Sequence, residues 1–120
     1  MHKNTRAPRL VSPIAIALLL TLASAAHALD APVQPSAADL ARRNGCMACH
    51  GLVHKQVGPG FAQIADRYRN DGSAPVRLAA KIRSGSVGTW GRVIMPQQTQ
   101  VSQSEAQALA QWVLSQPSAR

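Results

Sequence analysis

The sequence predicts an all-α domain of about four short helices, and three observations predict it. Ala106, Leu109, Ala110, Val113 and Leu114 recur at helical spacing and form one apolar face. Ser36 and Ser102 each precede a helical stretch and have an acidic residue three positions later, Asp39 and Glu105, the pattern of a capping box. No stretch alternates apolar and polar residues for long enough to build a sheet.

Residues 1–28 read as a targeting segment. Lys3, Arg6 and Arg9 make a basic start, and Val11 to Ala25 is an apolar run interrupted by Ser12, Pro13, Thr21 and Ser24. Ala26-His27-Ala28 then supplies the small-x-small pattern of a signal-peptidase site. The run is short for a bilayer span of about 20 residues, and no cysteine follows it to carry a lipid. Export and cleavage after Ala28 are expected, leaving residues 29–120 as a single domain.

Leu29 to Pro35 holds two prolines and forms a loose lead. The first helix spans about Ala37 to Asn44, offers Leu40 and small alanines for close packing, and ends at Gly45, directly before Cys46. Gly51 to Gly60 is a loop, Phe61 to Tyr68 a second helix, and Asn70-Asp71-Gly72 a turn. Pro75 suits the first turn of a third helix, which buries either Val76, Ala79, Ala80 and Ile82 or Leu78 and Ile82 before Gly85 stops it. Gly85 to Gln100 has three glycines, Pro96 and no periodicity, and an irregular stretch of that length in a small domain is usually functional. Val101 can staple to Ala106 at the start of the last helix, which Pro117 ends.

A domain this small often needs a staple. Its aromatic residues are only Phe61, Tyr68, Trp90 and Trp112, and its two cysteines are too close in sequence to close a useful disulfide loop. Something else must complete the interior. Cys46-Met47-Ala48-Cys49-His50 is the attachment pattern of a c-type haem. Two intervening residues let both thiols reach the vinyl groups on one haem edge as thioethers, and the adjacent histidine then falls beneath the iron. A dithiol redox centre would also use Cys-x-x-Cys, but normally on a mixed α/β fold. Half a zinc site would need further ligands, and His54 is the only other histidine after residue 28.

The ligand on the other face of the iron separates a carrier from an enzyme. His54 lies too near His50 in sequence to cross a wide porphyrin, and Met47 sits inside the attachment turn. Met95, followed by Pro96 in the glycine-rich loop, is the candidate, although a methionine in a small domain is commonly core filler. Ligation by histidine and methionine raises the reduction potential, because the thioether stabilises ferrous iron.

Asn44 to His50, then Val57-Gly58-Pro59, Gly88-Thr89-Trp90-Gly91, Met95-Pro96 and Ala110 to Ser115 together resemble the small bacterial class I cytochromes c of the c-551 type. The resemblance spans about Ser36 to Gln116. It implies a compact helical wrap around one covalently bound haem c, with the first and last helices meeting near Gly45 and Leu109. It implies His50 and Met95 as axial ligands, and the Pro59 carbonyl as acceptor from the other ring nitrogen of His50. Trp90 and Lys81 fall where that family has groups bonding a haem propionate; ordinary core packing and a solvated charge are the bland alternatives. The chain departs from the family around Met95, where Arg92, Val93, Ile94 and Gln97 stand and only Pro96 remains of several prolines. Gln98 replaces an asparagine that can bond the methionine sulfur, and Ala41 stands where an aromatic is common.

The formal charge is +8, from 13 basic and 5 acidic residues. Three of the bases lie in the targeting segment, so ten basic against five acidic residues leave +5 beyond it. A basic exported protein meets acidic protein faces or anionic membrane surfaces rather than nucleic acid. The expectation is a monomeric periplasmic carrier without catalytic residues and without stable membrane insertion after cleavage. It would pass single electrons from a quinol-oxidising complex to a terminal reductase or oxidase, docking redox partners transiently at the haem edge. The alternatives are an electron-accepting subunit of a larger oxidoreductase and a peroxidase-like enzyme in which Met95 is displaced.

Overall fold

The computed structural model describes residues 34–120. The expected targeting segment, residues 1–28, and most of the lead expected after it lie outside the described residues. The first helix, α1, runs Ala37–Arg43. Ser36 starts it: its Oγ accepts from the Asp39 N–H at 3.1 Å and its hydroxyl donates to Asp39 Oδ2 at 2.6 Å. It ends where the Asn44 side chain donates to the Leu40 carbonyl at 2.9 Å and Gly45 turns to φ 72°. A Cβ at Gly45 would meet nothing within 4 Å. The glycine is therefore needed for its left-handed backbone and not for contact between helices. Leu40 and Ala41 make the approach to the last helix instead. One 3₁₀ turn, Cys46–Ala48, follows.

The second helix, α2, spans Phe61–Tyr68 and buries Phe61, Ala62, Ile64 and Ala65, one face at helical spacing. The third, α3, spans Ala74–Ser84 with Pro75 in its first turn, where the missing N–H has no helical partner to lose. Ala74 and Ala79 are buried and Leu78 and Ile82 half-buried, whereas Val76 is 73% exposed and Ala80 also faces out. The inner side of α3 is thus the Leu78–Ile82 side. The last helix, α4, spans Gln103–Leu114 behind a complete capping box: Ser102 Oγ accepts from the Glu105 N–H at 3.2 Å and Glu105 Oε2 from the Ser102 N–H at 2.9 Å. Val101 and Ala106 are both fully buried in one cluster, as a staple requires.

Residues 85–100 are not without regular structure. β1, Ser86–Gly88, pairs antiparallel with β2, Gly91–Met95, with Ser86 opposite Met95, Gly88 opposite Gly91 and an irregular register between them. Gly88 and Gly91, at φ 88° and 107°, allow the chain to reverse around Thr89-Trp90. Strands of three and five residues, with β2 exposed along four of its five positions, carry no apolar alternation to read. The four-helix, all-α class is otherwise as the sequence predicts.

Two clusters make the core. Leu40 and Ala41 of α1 and Ala79 of α3 pack with Ala106, Leu109 and Ala110 of α4. Phe61 and Ile64 of α2 pack with Val113 of α4. α4 is the element common to both, and its alanines let the neighbouring backbones come close. Cys46, Met47 and Trp112 touch both clusters.

The C-terminal tail is held by α2. Asp66 Oδ2 accepts from Ser118 Oγ at 3.1 Å and from the Ala119 N–H at 2.9 Å, while Arg69 donates to Oδ1 at 2.5 Å. The Arg69 guanidinium foremost, then the Ala119 amide, hold the Asp66 carboxyl below the usual aspartate range. The Ser36 and Ser73 hydroxyls do the same for Asp39 and Asp71, and the Ser102 amide does so for Glu105. Folded values below unfolded ones mean stability that is present at neutral pH and is lost as pH falls through the folded values. Denaturant midpoints are expected to drop below the ordinary carboxylate range. Asp66→Asn is expected to flatten part of that dependence and to speed exchange of the Ala119 amide at pH 7; an unchanged Ala119 rate would show that the tail is held otherwise.

Candidate functional site

The left-handed Gly45 delivers the chain into the 3₁₀ turn, where the N–H groups of Cys49 and His50 both donate to the Cys46 carbonyl at 3.2 and 3.0 Å. That turn brings Cys46, Cys49 and His50 to the wall of one cleft. Burial pushes the Cys46 thiol up, away from the thiolate that a dithiol-exchange centre depends on.

The loop after the turn folds back on it. The N–H groups of Val57 and Gly58 donate to the Cys49 carbonyl at 3.2 and 2.8 Å, which carries the buried Pro59 to the His50 ring. His50 Nδ1 lies 2.7 Å from the Pro59 carbonyl oxygen. A carbonyl only accepts, so Nδ1 carries a hydrogen, and in the neutral ring that leaves the lone pair on Nε2. The imidazole stacks on Phe61 at 5.3 Å and 15° between planes. Gly58 leaves it room: a Cβ there would sit 2.8 Å from His50 Cε1.

Met95, at the end of β2, lines the same cleft and is half-buried. Its loop is tied to α3 by the Gln98 N–H, which donates to the Ile82 carbonyl at 3.2 Å. The Gln98 side chain donates to the Pro96 carbonyl at 3.0 Å and accepts from Gln100 at 3.0 Å. It is thus engaged with the loop's own backbone and a neighbouring glutamine.

Lys81 and Trp90 also line the cleft. Lys81 Nζ donates to Thr89 Oγ1 at 3.2 Å and Ser86 Oγ at 3.3 Å, so it is more than a solvated charge. Trp90 is half-buried against the Phe61, Ile64 and Val113 cluster. Arg67 lies with its guanidinium carbon 4.6 Å from the Trp90 ring centre and donates to the Thr89 carbonyl at 3.1 Å. The sequence reading missed Arg67, because nothing local marks a helical arginine as the neighbour of a tryptophan on a distant turn. It also placed Phe61 in a helix without seeing that it supports His50. His54 is exposed and outside the cleft, and Met47 packs into the core.

The cleft encloses about 1170 Å³, its open mouth included. Ile64, Leu78, Ile82, Leu109 and Val113 are among its walls, and Val57, Val87, Val93 and Ile94 lie at its exposed margin. These residues suit a large, flat, mostly apolar group. Cys46, Cys49, His50 and Met95 line this one cleft; two thiols to form thioethers, an imidazole nitrogen and a thioether sulfur make a set that would fit an iron porphyrin. Lys81 and Trp90, each with N–H donors, stand on the wall of the same cleft. Among the described residues no group of three or more His, Cys, Asp or Glu could hold a bare metal ion.

Residues 36–117 match the family described as cytochrome c. The cytochrome c-552 of Hydrogenobacter thermophilus is 50% identical over 76 residues, 63% of this chain and 76% of that protein. The cytochrome c-551 of Allochromatium vinosum is 44% identical over 85 residues, 68% of this chain and 90% of that protein. The crystal structure of wild-type Nitrosomonas europaea cytochrome c552 aligns with a TM-score of 0.65 at 45% identity, covering 67% of this chain and 99% of that one.

Proposed function

This chain belongs to the cytochrome c family, and from that premise we propose that it is a periplasmic electron carrier whose single haem c is ligated by His50 and Met95. Membership establishes the coarser statement: a small class I cytochrome c with one covalently attached haem c, serving electron transport. One observation carries the finer one. The Nδ1–H of His50 is committed to the Pro59 carbonyl, which leaves Nε2 as the ligand nitrogen, and Met95 lines the same cleft.

When bound, the haem supplies an iron that exchanges one electron between its ferric and ferrous states. Cys46 and Cys49 would tether it as thioethers. Pro59 and Phe61 hold the His50 ring in one orientation and tautomer, and the bond to Pro59 makes the imidazole a stronger donor. Met95, on the same cleft, would supply the second protein ligand to the group, which would leave no place there for a substrate. The apolar walls exclude water and keep the donors fixed, so that little must rearrange when an electron arrives or leaves. Lys81 would offer a positive charge and Trp90 an indole N–H to the acidic edge of the group.

The basic balance of residues 29–120 and the apolar margin of the cleft support transient docking of acidic redox partners by a monomer. The source would be a quinol-oxidising complex and the acceptor a terminal reductase or oxidase. The targeting segment supports a periplasmic location, and among the described residues no helix is long and apolar enough to cross a membrane. The oxidised holoprotein is expected to show the weak far-red absorption band of methionine–ferric iron ligation. Met95→Ala is expected to abolish it and to let the reduced protein bind carbon monoxide. Survival of the band in Met95→Ala would assign the ligand elsewhere; its absence from the parent protein, with ready carbon monoxide binding, would point to an open, enzyme-like site.

A further inference from the structure

Trp90 stands on a corner with little order of its own. The corner joins strands of only three and five residues, is flanked by glycines at φ 88° and 107°, and belongs to a hairpin whose register is irregular. Two-stranded hairpins are marginal in water without outside support. The support comes from two cations on two helices. Lys81 of α3 reaches the hydroxyls of Ser86 and Thr89, which sit on rotatable side chains. Arg67 of α2 takes the Thr89 backbone carbonyl and covers a face of the Trp90 ring. Only the second grip bears on the backbone and on the indole plane.

We infer that Arg67 is a positioning residue of the haem site, orienting Trp90 by clamping its ring and the Thr89 carbonyl onto α2. The inference rests on the reading that Trp90 faces an acidic edge group of the haem. Arg67 is suited to the task because the guanidinium is planar, permanently charged and able to stack and donate at once. Its charge is not neutralised by a near carboxylate: Asp66, its neighbour in sequence, is occupied by Arg69, Ser118 and Ala119, and the ion pairs among the described residues go to Arg42, Arg69 and Arg77. A cation over the ring also draws density from the indole and makes its N–H a better donor toward an anion.

The test uses holoprotein carrying Arg67→Leu, Arg67→Lys, Trp90→Phe and the double substitution Arg67→Leu/Trp90→Phe. Exchange of the Trp90 indole hydrogen in Arg67→Leu is expected to be about two- to fivefold faster, the range for loss of an exposed cation–π contact. Arg67→Lys keeps the charge without the planar stack, so it is expected to restore the reduction potential more fully than the slow exchange. Arg67→Leu is expected to lower the potential, and to lower it less when Trp90 is already Phe. Parental exchange in Arg67→Leu, with the same potential shift on both backgrounds, would reduce Arg67 to a surface charge and overturn the inference. If Trp90→Phe alone leaves the potential and its pH dependence untouched, the underlying reading of Trp90 fails; the exchange rate still decides whether the clamp exists.

Discussion

Gly58→Ala is expected to destabilise the holoprotein by about 1–3 kcal/mol and to release the His50 ring from Pro59. The new Cβ would lie 2.8 Å from Cε1, 3.2 Å from Nδ1 and 3.3 Å from Nε2 of His50. The ring has no direction in which to yield. Phe61 stacks against it, and the 2.7 Å bond from Nδ1 to Pro59 fixes its in-plane orientation. Gly72→Ala is the matched control, because a Cβ there meets nothing within 4 Å and its φ is ordinary. That variant is expected to be neutral or slightly more stable, through a less flexible unfolded chain. Guanidinium unfolding of both variants, with the His50 Nδ1–H resonance followed by NMR, separates them. A Gly58→Ala protein with the parental midpoint and an intact resonance would mean that the loop from Val57 to Pro59 yields more easily than its bonds to Cys49 suggest.

What could be read from the sequence follows how local the physics is. The cap of α4 and its apolar spacing each depend on residues within a few positions, and each stands as expected. The bounds of α2 likewise follow from Gly60 and the spacing of Phe61, Ile64 and Ala65. The inner side of α3 stayed open because Val76 and Leu78 are equally apolar, and only packing against α4 chooses between them. That the first helix ends at Gly45 was legible, but the left-handed backbone that makes glycine the residue there was not. The hairpin was invisible because both of its strands are short and β2 is largely exposed. Arg67 was invisible because its partners, Thr89 and Trp90, lie on another element.

The Met95 loop joins these threads. A proline's fixed φ stiffens a chain, and beside Met95 this protein has only Pro96, where the resemblance to c-551-type cytochromes leads to an expectation of several. Hydrogen bonds take over here: β2 is paired with β1, the Gln98 amide holds the Ile82 carbonyl, and the Gln98 side chain holds the Pro96 carbonyl. A loop ordered by contacts instead of by covalent rings is sensitive to anything that pushes on its backbone.

Gly85→Ala applies that push. Gly85 has φ 78° and ψ 174°, a region essentially reserved for glycine, where an L-residue carries about 1–3 kcal/mol of strain. Its Cβ would also lie 2.7 Å from the Met95 carbonyl oxygen, 3.2 Å from the Gln97 nitrogen and 3.3 Å from the Pro96 carbonyl carbon. All three are backbone atoms of the Met95 loop, so overpacking adds about 1–3 kcal/mol more, for a total of about 2–6 kcal/mol against a typical domain stability of about 5–15 kcal/mol. The expected protein keeps its helical far-ultraviolet dichroism but loses the far-red band of methionine ligation, although Met95 itself is unaltered. Gly88→Ala isolates the cause. Gly88 has φ 88° but nothing within 4 Å of a Cβ, so that variant is strained without pushing on Met95, and it is expected to lose some stability while keeping the band. If both variants keep the band, contact with Gly85 does not set the position of Met95. If both lose it, backbone strain anywhere in the hairpin is enough to free the ligand, and β1–β2 pairing outweighs the Gly85 contact in holding the methionine in place.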